Sequence, residues 1–303
     1  MGYSARYHAA SLAAVFLALA IGILIGVGLG DNVVSETTKQ LEDSLTSDLT
    51  DARSSAEDLQ GELNRERDFS TEIFPALVDD LLLGDRVAVV ALGSLPQEMN
   101  GDIEFVVGDD SPTGARLSEF AVVREPPDLQ ALAAAAPAGS PARKLGRDTD
   151  ALTRLARRAG LSLVSGGPPY DRLQEALLAD SSGRPGGIDA VIVVRDRPSD
   201  LGSAQSDATD SLEEGLVDGI QSGGDIPVVG VERSDSDGSQ IGFYDSQGLS
   251  ATVDSIDLMS GRVALAYALN GVEGDYGIKA SADRLLPVLR RPPIAPAADP
   301  RFR

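Results

Sequence analysis

The sequence predicts an α/β protein in three parts: a single N-terminal transmembrane helix, a helical coiled-coil stalk, and a mostly parallel α/β sandwich domain. Three observations lead to this prediction. They are an uncharged run of 22 residues near the N-terminus, a heptad pattern of leucine and alanine behind it, and short β-branched runs that alternate with helical segments in the remainder. The predicted boundaries are a cytoplasmic N-terminus at 1–8, a transmembrane helix at 9–30, the stalk at 31–74, the globular domain at 75–289 and a disordered proline-rich tail at 290–303.

The apolar run from Ala9 to Gly30 contains one polar residue, Ser11. As a helix it would be about 33 Å long, enough to cross a hydrocarbon core about 30 Å thick. A cleaved signal sequence is the alternative, with Arg6 as its charged start and a cut site near Gly28 or Gly30. The run is longer than a typical signal core, and this favours an uncleaved anchor.

Charges on either side of the run predict its orientation. Arg6 precedes it, and Asp31 and Glu36 follow it. Because positively charged flanks stay on the cytoplasmic side of a membrane, we expect a single-pass protein of the cell membrane or envelope with an extracytoplasmic C-terminal domain.

Glycines recur within the run at four-residue spacing, at Gly22, Gly26 and Gly30. This spacing places them on one helix face, where the missing side chains would let a second helix approach closely. Glycine is also common in membrane helices that make no such contact. A helix–helix packing site at these glycines is therefore one of two open interpretations.

Composition excludes several classes of function. The chain has 47 acidic and 26 basic residues, a formal net charge of −21 and a sequence pI of about 4.3. Such a charge opposes binding to nucleic acid. There is no cysteine, and the only histidine is His8, at the mouth of the predicted span. Disulfides and thiolate metal sites are therefore excluded, and so are histidine-based catalytic triads outside the membrane.

The stalk prediction rests on a repeat within 31–72, a segment that has no proline and carries 12 acidic and 4 basic residues. Apolar residues there alternate in steps of four and three, the spacing of a coiled-coil seam. An amphipathic helix folded back on the globular domain is the alternative. We favour a stalk that pairs with itself or with a partner helix. The predicted seam consists of Leu45, Leu49, Ala52, Ala56, Leu59 and Leu63.

Beyond Pro75 the pattern becomes that of a globular α/β domain. Apolar, β-branched runs predict buried strands, and the segments between them predict helices that end at glycines. Continuously apolar strands that alternate with helices imply a mostly parallel sheet covered on both faces. The predicted strands lie at 86–92, 120–123, 188–194 and 226–231, and the helices at 128–136, 148–159 (ending at Gly160), 207–222 and 260–270.

No motif in this domain points to catalysis. Dinucleotide-binding, P-loop and zinc-protease motifs are all lacking. Asp235-Ser-Asp237-Gly238 resembles the opening of a calcium loop but lacks the third ligand and the distal glutamate, so we interpret it as a polar hairpin turn. Asp109 and Asp110 are interpreted as turn residues in the same way. The sequence therefore predicts a protein that is not an enzyme and has no cofactor, catalytic residue or metal site.

Two stretches carry a resemblance to a known family. The opening from His8 to Ala20, followed by Gly22 and Gly26, resembles that of the mycobacterial copper transporter B (MctB) family. Ser260-Gly-Arg-Val263 and Gly274-Asp-Tyr276-Gly277 resemble the closing segment of that family. The order of parts is also similar: one span, a charged helical segment and an α/β domain.

The resemblance implies a cell-envelope protein of actinobacteria or their relatives, with a role in copper efflux or tolerance and a proposed pore-forming activity. A related branch of the family is associated with envelope assembly at the septum. Copper(I) prefers thiolate and thioether ligands, and copper(II) prefers imidazole. Met99 and Met259 are the only soft ligands beyond the predicted span, so the donor set is a poor match to direct copper handling.

Two hypotheses follow for the function. One is copper transport, which the resemblance implies. The other is a non-catalytic anchor and scaffold that organises envelope or septal partners through its stalk and its outer domain, the name used here for the predicted globular domain at 75–289. In both, the expected partners are the membrane, a second copy or partner helix, and an envelope protein.

Overall fold

The computed structural model describes residues 5–136 and 149–289, without the side chains of residues 5, 6, 29–40 and 169. The predicted disordered tail at 290–303 lies outside the described residues. The elements follow one another as α1 (Ala5–Val78), β1 (Arg86–Gly93), α2 (Gln97–Val107), β2 (Arg116–Val123), α3 (Leu129–Ala135), α4 (Thr149–Ser165), α5 (Pro168–Leu177), β3 (Leu178–Gly183), β4 (Ala190–Asp196), α6 (Ser203–Gln221), β5 (Val228–Val231), α7 (Ile241–Gln247), β6 (Ala251–Val253), α8 (Met259–Leu269) and β7 (Gly274–Tyr276).

The chain divides into two compact units, Met1–Asp68 and Phe69–Arg303. The described part of the first unit is helical throughout and belongs to α1. Within it, Tyr7–Gly28 is long and apolar enough to cross a membrane, with 22 residues and a mean hydropathy of 2.6. The predicted apolar N-terminal helix is thus confirmed by length and composition. The predicted stalk residues are helical as well, and their pairing into a coiled coil stays a prediction.

The second unit is built on a seven-stranded sheet in the order β3-β2-β1-β4-β5-β6-β7. Every neighbouring pair is parallel except β2 and β3, which are antiparallel. The predicted mostly parallel α/β architecture is therefore confirmed. The antiparallel strand lies at one edge, where a mixed sheet commonly carries such a strand.

Helices cover both faces of this sheet, and alternate residues of each strand enter different cores. In β1, Val89 enters the core formed with the last turns of α1, α2 and α8. Its neighbour Val90 enters the core formed with α3 to α7. Because successive strand side chains point to opposite faces, a strand buried on both faces must be apolar at every position. This explains the continuous runs in β1 and β4.

Two details differ from the sequence prediction. Helix α4 does not end at Gly160 but continues to Ser165. A Cβ at Gly160 would lie 2.2 Å from the carbonyl oxygen of Leu216, so this glycine permits close packing against α6 rather than ending a helix. Asp235–Gly238 is not a hairpin turn, because it joins β5 to α7 and β5 pairs with β6 in parallel.

The remaining boundaries shift by a few residues. Strand β2 begins four residues before the predicted start at 120, and β5 begins two residues after 226. Helix α6 begins at Ser203 rather than at 207. Helix α3 begins after Asp128 rather than at it. The carboxylate of Asp128 accepts hydrogen bonds from the backbone N–H groups of Gln130 and Ala131, so this residue is the N-cap, whose side chain satisfies free amides of the first turn.

Candidate functional site

The strand order creates a crevice at the carboxyl ends of the central strands, the edge of the sheet that the strand ends form. From β1 the chain moves outward to β2, and later continues on the other side of β1 with β4. The connections that leave the carboxyl ends of β1 and β4 therefore run to opposite faces. Ligands of open α/β sheets bind in the crevice at such a switch point. We therefore take this edge as the candidate functional site.

A cleft of about 330 Å³ opens at this edge. Met99, Val194 and Val231 form its apolar floor, while its walls are charged and polar. The wall contains both signs of charge, with acidic groups in excess. The charged lining residues are Glu98, Arg195, Asp196, Glu232, Arg233, Asp235 and Asp237.

Asp102 on α2 connects three elements beside the cleft. Its carboxylate pairs with the guanidinium group of Arg233, from the loop after β5. It also accepts a hydrogen bond from the guanidinium group of Arg262, on α8, at 2.6 Å. Arg262 also stacks over the ring of Phe105, 4.4 Å from its centroid. Asp102 is 7% exposed, so both arginines are paired in a largely dry environment, where ion pairs interact strongly.

Glu232, at the end of β5, is neutralised in the same way. One of its carboxylate oxygens accepts the Lys279 ammonium at 2.6 Å and the Ser239 hydroxyl at 2.8 Å. The backbone N–H of Lys279 donates in turn to Asp254, after β6, at 2.8 Å. Gly277 permits this approach, since a Cβ there would lie 1.8 Å from Asp254 Oδ1. The segment after β7 is thus fastened across the ends of β5 and β6.

Arg195 joins the cleft to two neighbouring carboxyl groups, those of Glu213 and Glu125. Its guanidinium donates to both carboxylate oxygens of Glu213, at 2.8 and 3.0 Å, and to Gln240 Oε1 at 2.6 Å. It also stacks 4.3 Å from the ring centroid of Phe243. Burial, and then the charge of Glu213, raise the pKa of Glu125 to about 8, because a buried carboxyl beside another carboxylate favours its neutral form.

The packing glycines predicted from the sequence are on α1. A Cβ at Gly22 or Gly26 would meet nothing within 4 Å, so in the single chain both positions are open to an approaching helix. The surroundings of Gly30 lie outside the described residues. Contact between two spans stays a prediction.

The predicted seam is also on α1, and its members are exposed in the single chain. Its four leucines are between 46% and 65% exposed, and Ala52 and Ala56 are exposed as well. The structure thus places the predicted site residues on one helix, α1, within the first unit. The leucines are Leu45, Leu49, Leu59 and Leu63.

The charged residues of the crevice were not predicted from the sequence to form a site. One signal was present: Asp102 interrupts the apolar spacing of Met99, Ile103 and Val106 on α2, and all four side chains are buried. Glu213 likewise lies beside Leu212 on the buried face of α6. A charge within an apolar helix face indicates a buried partner, because an unpaired charge there would be very costly.

Comparison with protein families gives a match over nearly the whole chain. The model described as "Copper transport outer membrane protein, MctB" matches residues 3–287. The chain belongs to the MctB family. The family resemblance seen in the sequence is thus confirmed, and with it a copper transport-related role in the cell envelope. No curated protein and no solved structure matches the chain.

Copper, as the cargo of an MctB-family protein, finds few suitable ligands here. Within residues 5–136 and 149–289, no three histidine, cysteine, aspartate or glutamate side chains are grouped so that they could hold a metal ion. Met99 is 5% exposed and packs in the core with α2 and α8, against which Met259 also packs. The chain has no cysteine, and copper(I) prefers sulfur ligands. The donor set therefore does not fit a tight copper site.

Proposed function

We propose that this MctB-family protein supports copper transport as a membrane-anchored scaffold and does not itself coordinate copper. Its span holds it in the membrane, its stalk associates with a second copy or a partner helix, and its outer domain presents a surface to another envelope protein. Two observations carry the proposal: buried acidic groups at the crevice are paired with cations of the protein, and the chain has no cysteine and only three methionines.

Three buried acidic groups at or beside the crevice are engaged within the protein. Asp102 is shared by two arginines, Glu213 is held by Arg195, and Glu232 is held by Lys279. A copper ion would have to displace these cations and accept carboxylate ligands, which it prefers less than imidazole or sulfur. Such a network suits a rigid outer domain better than a metal relay.

The first unit supplies the anchoring part of the proposal. Tyr7–Gly28 has the length and hydropathy of a membrane span, and acidic residues follow it while Arg6 precedes it. With the positive flank in the cytoplasm, the outer domain lies on the far side of the membrane. Neighbouring anchors confined to one membrane have a high effective concentration, which favours association of their stalks.

Direct transport through a pore is the second candidate, because the family description names copper transport in the outer membrane. One span per described chain means that a pore would need several copies. The exposed side chains of this span include Leu12, Val15, Phe16 and Leu19, and such an apolar helix offers few groups that could line a water-filled path.

Complementation of a copper-sensitive deletion strain separates the two candidates. A full-length variant that carries M99L and M259L removes both soft ligands beyond the span with little change in volume. We expect it to restore copper tolerance fully. Loss of tolerance in this variant, at normal protein level and with an unchanged melting temperature, would indicate direct copper handling and overturn the proposal.

The scaffold half of the proposal is tested by placing charge in the seam. A variant with L49D and L59D should lose tolerance. S47D with S54D is the matched control, because it adds the same charge to the opposite face of the same helix and should retain tolerance. Equal tolerance in the two variants would show that the seam has no part in the function.

A further inference from the structure

The carboxyl group of Glu125 occupies an unusual position just after β2. Both of its oxygens are shut off from solvent, and no N–H or hydroxyl group of the described residues donates to either; the carboxyl group of Glu213 lies within hydrogen-bond reach. A Cβ at Gly93, at the end of β1, would lie 3.1 Å from Oε2, so the group is enclosed between the ends of two strands. The buried hydroxyl of Thr209 on α6 also lacks a partner among the described residues.

The charged groups around Glu125 come from two elements. Glu213 lies on α6, Arg195 lies near the end of β4, and Arg197 directly follows that strand. Both arginines are occupied elsewhere. Arg195 is held by Glu213, and Arg197 pairs with Asp210 and donates to Ser206. No guanidinium hydrogen bond therefore reaches Glu125 from either arginine.

A buried carboxylate to which no group donates a hydrogen bond is unfavourable, and a second carboxylate nearby makes it more so. One bound proton relieves both costs, since it turns Glu125 into a neutral acid and leaves one negative charge on Glu213 for Arg195. The position of this pair is what connects protonation with structure. Glu125 lies in the segment 124–128, which leads from β2 to α3, whereas Glu213 is fixed on α6.

We propose that Glu125 and Glu213 form a proton-binding pair that locks segment 124–128 against α6 while one proton is bound, and releases the segment when that proton leaves. The step is a simple dissociation: the carboxyl O–H bond breaks, the proton passes to water, and a second buried carboxylate remains. Opening of the segment then exposes that carboxylate to solvent. This lock goes beyond the scaffold role and does not depend on copper.

The sign of the pH dependence follows from the direction of the shift. The pKa of Glu125 is raised from 4.5 to about 8 in the closed form, so the stabilising effect of the proton is complete below about pH 4.5. It declines as the pH rises and is lost once the pH exceeds about 8. Between these limits, opening releases one proton, and the opening equilibrium should increase about tenfold per pH unit.

Hydrogen–deuterium exchange of the full chain in detergent micelles tests this lock. Useful reporters are the N–H of Arg124, bonded to Leu177 O, and those of Gln130 and Ala131, bonded to Asp128. After correction for intrinsic exchange, we expect their protection to fall about tenfold per pH unit between about pH 6 and pH 8. In E125Q the protection should not change with pH.

E119Q is the matched control. Glu119 lies on β2, the strand that leads into the segment, is 1% exposed and accepts the Tyr170 hydroxyl, and burial raises its pKa too. This variant should keep the wild-type slope. Equal slopes in the wild type and E125Q would overturn the proposal.

Infrared spectroscopy gives a readout that does not depend on the folding of E125Q. At about pH 6 the E119Q protein should show the C=O band of a protonated buried carboxyl group, and the band should vanish above about pH 9. Absence of the band at pH 6 would equally overturn the proposal, because no proton would then be bound at the pair.

Discussion

The close contact between α4 and α6 offers the sharpest quantitative prediction of the fold. Three glycines create it. A Cβ at Gly160 would lie 2.2 Å from Leu216 O, one at Gly215 would lie 2.4 Å from Thr153 O, and one at Gly219 would lie 2.1 Å from Arg157 O. The opposing atoms are backbone carbonyl oxygens of a helix, which cannot rotate away as a side chain could. The two helices must therefore separate if any of these glycines gains a methyl group.

The predicted change is G219A, and its magnitude follows from this geometry. Overpacking of a close contact costs about 1–3 kcal/mol and sometimes more, and a 2.1 Å approach to backbone belongs at the upper end. Alanine recovers about 1 kcal/mol of helix propensity. We therefore expect a net loss of about 2 kcal/mol in the free energy of unfolding. In a unit of this size that loss lowers the melting temperature by about 4–8 °C.

Thermal unfolding of the full chain, followed by near-UV circular dichroism, measures this effect. G101A is the matched control, because Gly101 is an exposed glycine within α2 and a Cβ there meets nothing within 4 Å. It should stabilise the domain by about 0.5–1 kcal/mol through helix propensity alone. If G219A stabilised the protein as G101A does, α4 and α6 would not be packed as described.

Three further predictions concern the crevice, the stalk and the anchor. D102A removes the carboxylate that pairs with Arg262, whereas Arg233 keeps Glu98 and Asp235, and it should lower the free energy of unfolding by about 1–3 kcal/mol in chemical denaturation; a loss below about 0.5 kcal/mol would contradict this. L49D with L59D should abolish crosslinking between membrane-anchored chains and leave the outer domain folded, whereas unfolding of that domain would contradict the stalk hypothesis. Mass spectrometry of the mature protein should find Tyr7–Gly28 retained, and a terminus near residue 31 would show a cleaved signal.

The sequence was most informative where strands are buried on both faces. The runs in β1 and β4 are apolar throughout, and their positions were predicted to within two residues. Strand β3 was missed because it lies at the sheet edge and most of its residues are exposed. Strands β6 and β7 were missed because each has only three residues, too few for a period to be recognised.

The misinterpretation of Gly160 has a physical reason. A glycine that ends a helix and a glycine that admits a neighbouring helix are the same residue type, and only the partner decides which role applies. The partner carried a sign of its own role, since Gly215 and Gly219 lie four residues apart on one face of α6. Two helices with glycines inside otherwise good helical patterns indicate close packing.

The crevice could not be predicted because its partners are far apart along the chain. Asp102 meets Arg233 from 131 positions away and Arg262 from 160 positions away. With 47 acidic residues in the sequence, spacing alone could not select this one. The orphaned carboxyl of Glu125 was equally hidden, because its environment is made by the ends of neighbouring strands.

Copper affinity of the full chain tests the central claim most directly. The detergent-solubilised protein is titrated with copper(I) against a competing chelator, in parallel with the M99L and M259L double variant. We expect the chelator to retain the copper in both cases, because the chain has no cysteine and only three methionines. Tight binding of one copper per chain in the wild type, lost in the double variant, would contradict the scaffold proposal and establish direct copper handling.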